Sequence, residues 1–177
     1  DLGGDYFGAS LHKWLSAPFG SGLLYVKRDK IKNLYPLFAA GDPEQDDIRK
    51  FENLGTRSMA IEHAIAHAID FYDMIGVERK YERLYELQKY WTQQLADDER
   101  FIINHPKASS HSGALGNIAI KDKKVEEVAN RLFDQYKIHA VSINWENIHG
   151  VRITPNVYTL KSELDKLVRA LKTIANS

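Results

Sequence analysis

The stretch GASLHKWLSAPFGSGLLYV, Gly8 to Val26, decides how this chain is read. A run of β-formers from Asp5 to Leu11 leads into His12-Lys13, a loop punctuated by Pro18, Gly20 and Gly22 follows, and Leu23 to Val26 forms a second apolar strand. Alternate side chains of a strand share a face, so Ser10 and His12 point one way while Lys13 turns to the other side or leaves the strand. A hydroxyl, an imidazole and an amine therefore gather at one strand end. Such a group suits a phosphate held by Ser10 and His12 and a Schiff base formed by Lys13 with a carbonyl, provided the amine is partly desolvated or lies beside a cation. Read alone, the same residues also fit a satisfied sheet edge with a surface lysine.

Outward from this stretch, Ile31 to Leu54 carries Pro36, Gly41, Pro43 and an acidic run from Asp42 to Asp47, and reads as a surface excursion with little regular structure. From Ser58 to Ile75 the residues Ala60, Ile61, Ala64, Ile65, Ala68, Ile69 and Tyr72 recur at helical spacing. Gly76 interrupts, and Val77 to Leu95 is a second helix with Tyr81, Leu84, Tyr85, Leu87, Gln88 and Trp91 on and around one face. Then come strands at Phe101 to Asn104 and Leu115 to Ile120, a helix from Lys124 to Tyr136, strands at Ile138 to Ile143 and Val151 to Thr154, and a helix from Lys161 to Ala175. Amphipathic helices interleaved with strands make a two-layer α/β domain. The organisation expected is a two-strand segment over 1–57, a connecting helix over 58–76 and a small α/β domain over 77–177.

The composition narrows the classes. With 24 basic and 24 acidic residues in 177, no net field attracts nucleic acid or an anionic membrane, so neither partner is expected. The absence of cysteine excludes a disulfide framework and a cysteine nucleophile, and accords with a cytoplasmic location. No apolar run approaches the ~20 residues of a membrane-spanning helix. The chain begins at Asp1 and enters a strand almost at once, which is expected of a piece of a longer polypeptide. Glu62-His63 and His67 have the i, i+4 spacing of a zinc helix, but the glutamate precedes the first histidine and no third ligand is evident, so no metal site is expected.

Three motifs now carry a resemblance. SLHKWLSAPFGSGLLYV resembles the cofactor-lysine segment of the class V aminotransferases, pyridoxal-phosphate enzymes of fold type I. FENLGTRSMAIEHAIAHAIDFYDMIG is similar to the family's Glu-x-Gly-Thr joint ahead of the interdomain helix, and GVRITPNVYTLKSELDKLVRAL to its arginine-bearing C-terminal segment. They occur in the family's order, and the first looks most like the isopenicillin-N-epimerase-like branch. The fold implied is α/β: the last two strands of the large cofactor domain, an interdomain helix and a small two-layer C-terminal domain. The resemblance implies Lys13 as the Schiff-base lysine that shuttles the α-proton, with Ser10 and His12 on the phosphate of pyridoxal 5'-phosphate. It implies that Thr56 reaches the phosphate of the other subunit in a homodimer. Arg152 would receive the carboxylate of a small amino acid or keto acid, a task its planar fork suits.

Two departures qualify the match. Tyr158-Thr159-Leu160 stands where many relatives have Tyr-Asn-Thr, and SINWENIHG lacks the cysteine that desulfurases carry there, which argues against desulfuration. The acid for the pyridinium nitrogen, the ring-stacking residue and the glycine-rich phosphate turn precede the lysine segment in the family, and only Asp1 to Phe7 precede Gly8 here. The chain alone is therefore expected to be inactive. The rival expectation is a folded structural or dimerisation domain with a vestigial lysine.

Overall fold

The computed structural model describes residues 3–38, 40–106 and 111–177. The chain divides into two units, Asp1–Ile75 and Gly76–Ser177. In the first, β1 (Tyr6–Ser10) pairs antiparallel with β2 (Gly22–Val26), from Tyr6 opposite Val26 to Ser10 opposite Gly22. The excursion that follows holds two 3-10 helices, Arg28–Asn33 and Ile48–Phe51, before α1 (Met59–Ile75). It is more ordered than its prolines and acids suggest, and the reason is Lys50, which is only 1% exposed. Its Nζ donates to the carbonyls of Ile31 (2.7 Å), Pro43 (2.9 Å) and Gln45 (3.1 Å), which uses all three N–H bonds of the ammonium. A lysine in an acidic segment reads as solvated, so this knot has no signature in the sequence.

The second unit runs α2 (Val77–Gln93), β3 (Phe101–Asn104), β4 (Gly116–Ile120), α3 (Val125–Tyr136), β5 (Val141–Trp145), β6 (Ile148–Ile153) and α4 (Lys161–Ala175). Its sheet has the order β3-β4-β6-β5 with every neighbouring pair antiparallel. Ile118 and Ile120 of β4 and Val151 and Ile153 of β6 join Leu87 and Trp91 of α2, Leu132 of α3 and Leu171 of α4 in one core. Gly116 lies against the Trp91 ring so closely that a Cβ there would collide with it. Both units are mixed helix and strand, in line with the α/β expectation.

Two strands differ from the sequence reading. Ile138 does not open β5, because Lys137 takes φ 56° and the Ile138 N–H reaches back to the Leu132 carbonyl at 2.9 Å, closing the C-terminus of α3 in the Schellman manner. β6 begins at Ile148, earlier than Val151, because a tight hairpin with Glu146 at φ 44° joins it to β5. Among the described residues no helix is long and apolar enough to cross a membrane.

Candidate active site

β1 ends at Ser10, and His12 and Lys13 lie in the bend beyond it. The bend is closed by backbone bonds: Leu11 N–H donates to Ser21 O (3.2 Å), Ala17 N–H to Leu11 O (3.1 Å) and Ser16 N–H to Lys13 O (3.3 Å). Ala17 and Ser21 are its buried residues, and Ser21 Oγ donates to Pro18 O at 2.6 Å. Ser16 sits at φ 63° and Gly20 at φ 86°, the left-handed backbone that so tight a return requires. The His12 ring stacks on Phe19, centroids 5.4 Å apart, and its Nδ1 is buried without a hydrogen-bond partner. Buried polar atoms nearly always have partners, so this one marks a place where an acceptor or donor belongs. Phe19 went unremarked in the sequence, although the Pro18-Phe19-Gly20 turn that carries it was legible there.

Lys13 itself is exposed. Among the described residues of the first unit β1 pairs with β2 alone and its residues are largely exposed, so within that unit the strand end is not desolvated. Thr56 is also exposed, in a bend ahead of α1 and outside the helix cap position. Gly55 at φ 71° turns the chain there, while Arg57 donates from Nη1 to the Glu52 carbonyl (3.2 Å) and from Nε to the Glu62 carboxylate. The Glu62 hydrogen bond raises the Arg57 guanidinium above its ordinary value. The two bonds bracket Thr56 on both sides.

Arg152 belongs to the second unit, exposed at the centre of its sheet on β6, opposite Asn117 of β4 and Val141 of β5. The chain that follows is pinned despite the altered Tyr158-Thr159-Leu160 segment. Asn156 N–H donates to Thr159 Oγ1 (2.9 Å), Thr159 N–H to Asn156 O (2.8 Å), and Leu160 N–H to Glu163 Oε2 (2.8 Å) at the start of α4. His63 and His67 are exposed on α1, and among the described residues no group of three or more metal-ligating side chains assembles.

The sequence pattern of class-V aminotransferases matches residues 1–167, a span that holds Lys13, Thr56 and Arg152. The chain belongs to the class-V aminotransferase family. It is 27% identical over 189 residues to an isopenicillin N epimerase of Streptomyces clavuligerus, covering 96% of this chain and 47% of the epimerase. It is 25% identical to a probable cysteine desulfurase of Staphylococcus epidermidis, with 97% and 45% covered. Its fold matches the apo structure of a cysteine desulfurase from Thermococcus onnurineus NA1 with a TM-score of 0.80 at 20% identity, over 97% of this chain and 47% of that one. The fold expected of this class-V chain is therefore borne out. The chain spans about half the length of the curated relatives it matches.

Proposed function

We propose that this chain is the C-terminal part of a pyridoxal 5'-phosphate-dependent class-V enzyme that acts on a small amino acid or keto acid. The observation that supports this reading best is the buried, unpartnered Nδ1 of His12, a residue that precedes Lys13 directly and follows Ser10 by two positions, a residue set suited to a phosphate and a carbonyl. The cofactor, when bound, supplies the electron sink. Ser10 and His12 would hold its phosphate, and Lys13 Nζ would attach it and carry the substrate's α-proton. Thr56 would reach the phosphate held by the other subunit of a homodimer. Arg152 orients the substrate through its carboxylate, with two parallel hydrogen bonds that a lysine cannot make.

The chain has no cysteine, so no persulfide forms on it. Transamination, epimerisation and elimination all begin with removal of the same α-proton, and assays that follow keto-acid release and racemisation side by side separate them. The reading includes a cytoplasmic location, with which the lack of cysteine is compatible. Borohydride reduction of the full-length protein with pyridoxal phosphate, followed by peptide mass spectrometry, tests it. The phosphopyridoxyl mass is expected on Lys13 and is lost, together with turnover, in Lys13→Ala. An adduct on another lysine, or one that survives the substitution, favours a structural domain with a vestigial lysine.

A further inference from the structure

Three polar residues stand in register across the sheet of the second unit. Asn104 of β3 faces Asn117 of β4, and Asn117 faces Arg152 of β6. Directly opposed residues share a face with Cβ atoms ~4.5–5.5 Å apart. This row lies on the face opposite to Ile118, Val151 and Ile153, because side chains alternate along each strand. The orientation of the Asn117 amide is fixed from two sides. Its Oδ1 accepts from Asn104 Nδ2 at 2.9 Å, and the same Nδ2 donates to the His149 carbonyl at 3.2 Å. Flipping Asn117 would set two NH2 groups against each other, since His149 O requires the Asn104 nitrogen where it is. Gly150 leaves the room for this arrangement: a Cβ there would strike Asn117 Oδ1 and come within 2.6 Å of the Ile118 carbonyl oxygen.

What remains is the other end of the amide. Asn117 is 8% exposed, and its Nδ2 is buried with no hydrogen-bond partner. A pair of unused N–H donors is costly in a buried place, and here its register neighbour is an exposed cation. A carboxylate answers both groups, with one oxygen on the guanidinium and the other on the amide. We propose that Asn117 is a substrate-binding residue that donates from Nδ2 to the carboxylate whose other partner is Arg152. The proposal rests on the carboxylate role given to Arg152 above.

The test uses the 15N-labelled 177-residue chain, titrated with sodium acetate against sodium chloride at equal ionic strength. The side-chain NH2 signals of Asn117 and the NεH signal of Arg152 are expected to move together with one dissociation constant under acetate, and to stay in place under chloride. In Asn117→Asp, which keeps the shape and replaces the donors by a negative charge, the acetate dissociation constant of Arg152 rises by about tenfold or more. A saturable shift at Arg152 with Asn117 silent overturns the Asn117 assignment and leaves the Arg152 reading standing. Silence at both, or equal shifts under chloride, overturns the two together.

Discussion

In the second unit Trp91, Leu132, Ala170, Leu171 and Ile174 are each fully buried in one core, whereas the buried apolar side chains described in the first unit are Ala17, Val26, Ile31 and Ala68. The contrast is sharpest in β2. Leu23, Leu24 and Tyr25 are consecutive, so they point to alternating faces, yet all three are about half exposed (49%, 50% and 49%). A strand apolar on both faces has the composition of one covered on both sides. In β4, by contrast, Ile118 and Ile120 enter the core on one face while Asn117 takes the polar row on the other. The second unit therefore owes its order to side-chain packing, and the first owes much of its order to backbone hydrogen bonds and to one lysine. That division also matches the chemistry proposed: the exposed bend at Lys13 is the part that must admit a cofactor.

Removing the lysine tests this contrast with the largest expected effect. Lys50→Met keeps an unbranched apolar side chain but removes the ammonium that lies over the Phe51 ring and leaves the carbonyls of Ile31, Pro43 and Gln45 without their donor. The loss is expected to be ~3 kcal/mol, confined to the first unit, since several charge-assisted bonds disappear while the desolvation cost of the ammonium is recovered. Hydrogen exchange at the amides of Leu34 and Glu52, which close the two 3-10 helices, should accelerate by about a hundredfold, with the Leu132 and Val151 amides unchanged. Unchanged exchange at Leu34 and Glu52 would show that the excursion is held by something other than Lys50.

The converse substitution strikes the packed unit. Gly116→Ala places a methyl group against the Trp91 ring, and Trp91 is enclosed by the core on its other sides. Overpacking of this kind costs about 1–3 kcal/mol, and in a Trp14→Phe, Trp145→Phe background denaturant unfolding followed by Trp91 fluorescence should show a lower midpoint with an unchanged slope. Tolerance of the methyl group, with wild-type stability, would mean that Trp91 has room to shift and that the second unit is less tightly packed than the contrast requires.

The parts of the molecule legible in the sequence are those set by local pattern. The helix Lys161–Ala175 and the strand Phe101–Asn104 fall where apolar periodicity puts them, because each buries one face in a single core. The strand ends were illegible where a residue other than glycine takes left-handed backbone: Lys137 spends Ile138 on a helix cap, and Glu146 makes a hairpin without a turn signature. Lys13 and Arg152 are singled out in the sequence through motif order, and the family match over residues 1–167 spans both. The orphan nitrogens of His12 and Asn117 were not, since each depends on burial by residues far from it in the sequence or on a register that only the folded sheet defines.

The smallest expected effect compares two aspartates that differ in what they tie together. Asp47 accepts Arg49 N–H (2.9 Å) and its guanidinium, a bond local to the second 3-10 helix. Asp98 accepts Arg100 Nε at 2.8 Å, and Arg100 also reaches Asn176 at the end of α4, so this pair joins distant parts of the second unit. The arginine side-chain hydrogen bond is the main cause that holds each carboxyl down at about 2. Since an unfolded aspartate titrates near ~3.9, each pair contributes its stability above that pH and loses it as pH falls towards about 2. Both pairs face solvent, so salt screens them and the effect is modest. Asp98→Asn should therefore lower the thermal midpoint of the second unit at pH 5 and low salt, with little change at pH 2 or in 1 M salt (a Debye length of ~3 Å). Asp47→Asn should leave that midpoint where it is and alter only exchange in the first unit. A second-unit midpoint that responds equally to both substitutions would show that the two units share their acid sensitivity, and would break the contrast between them.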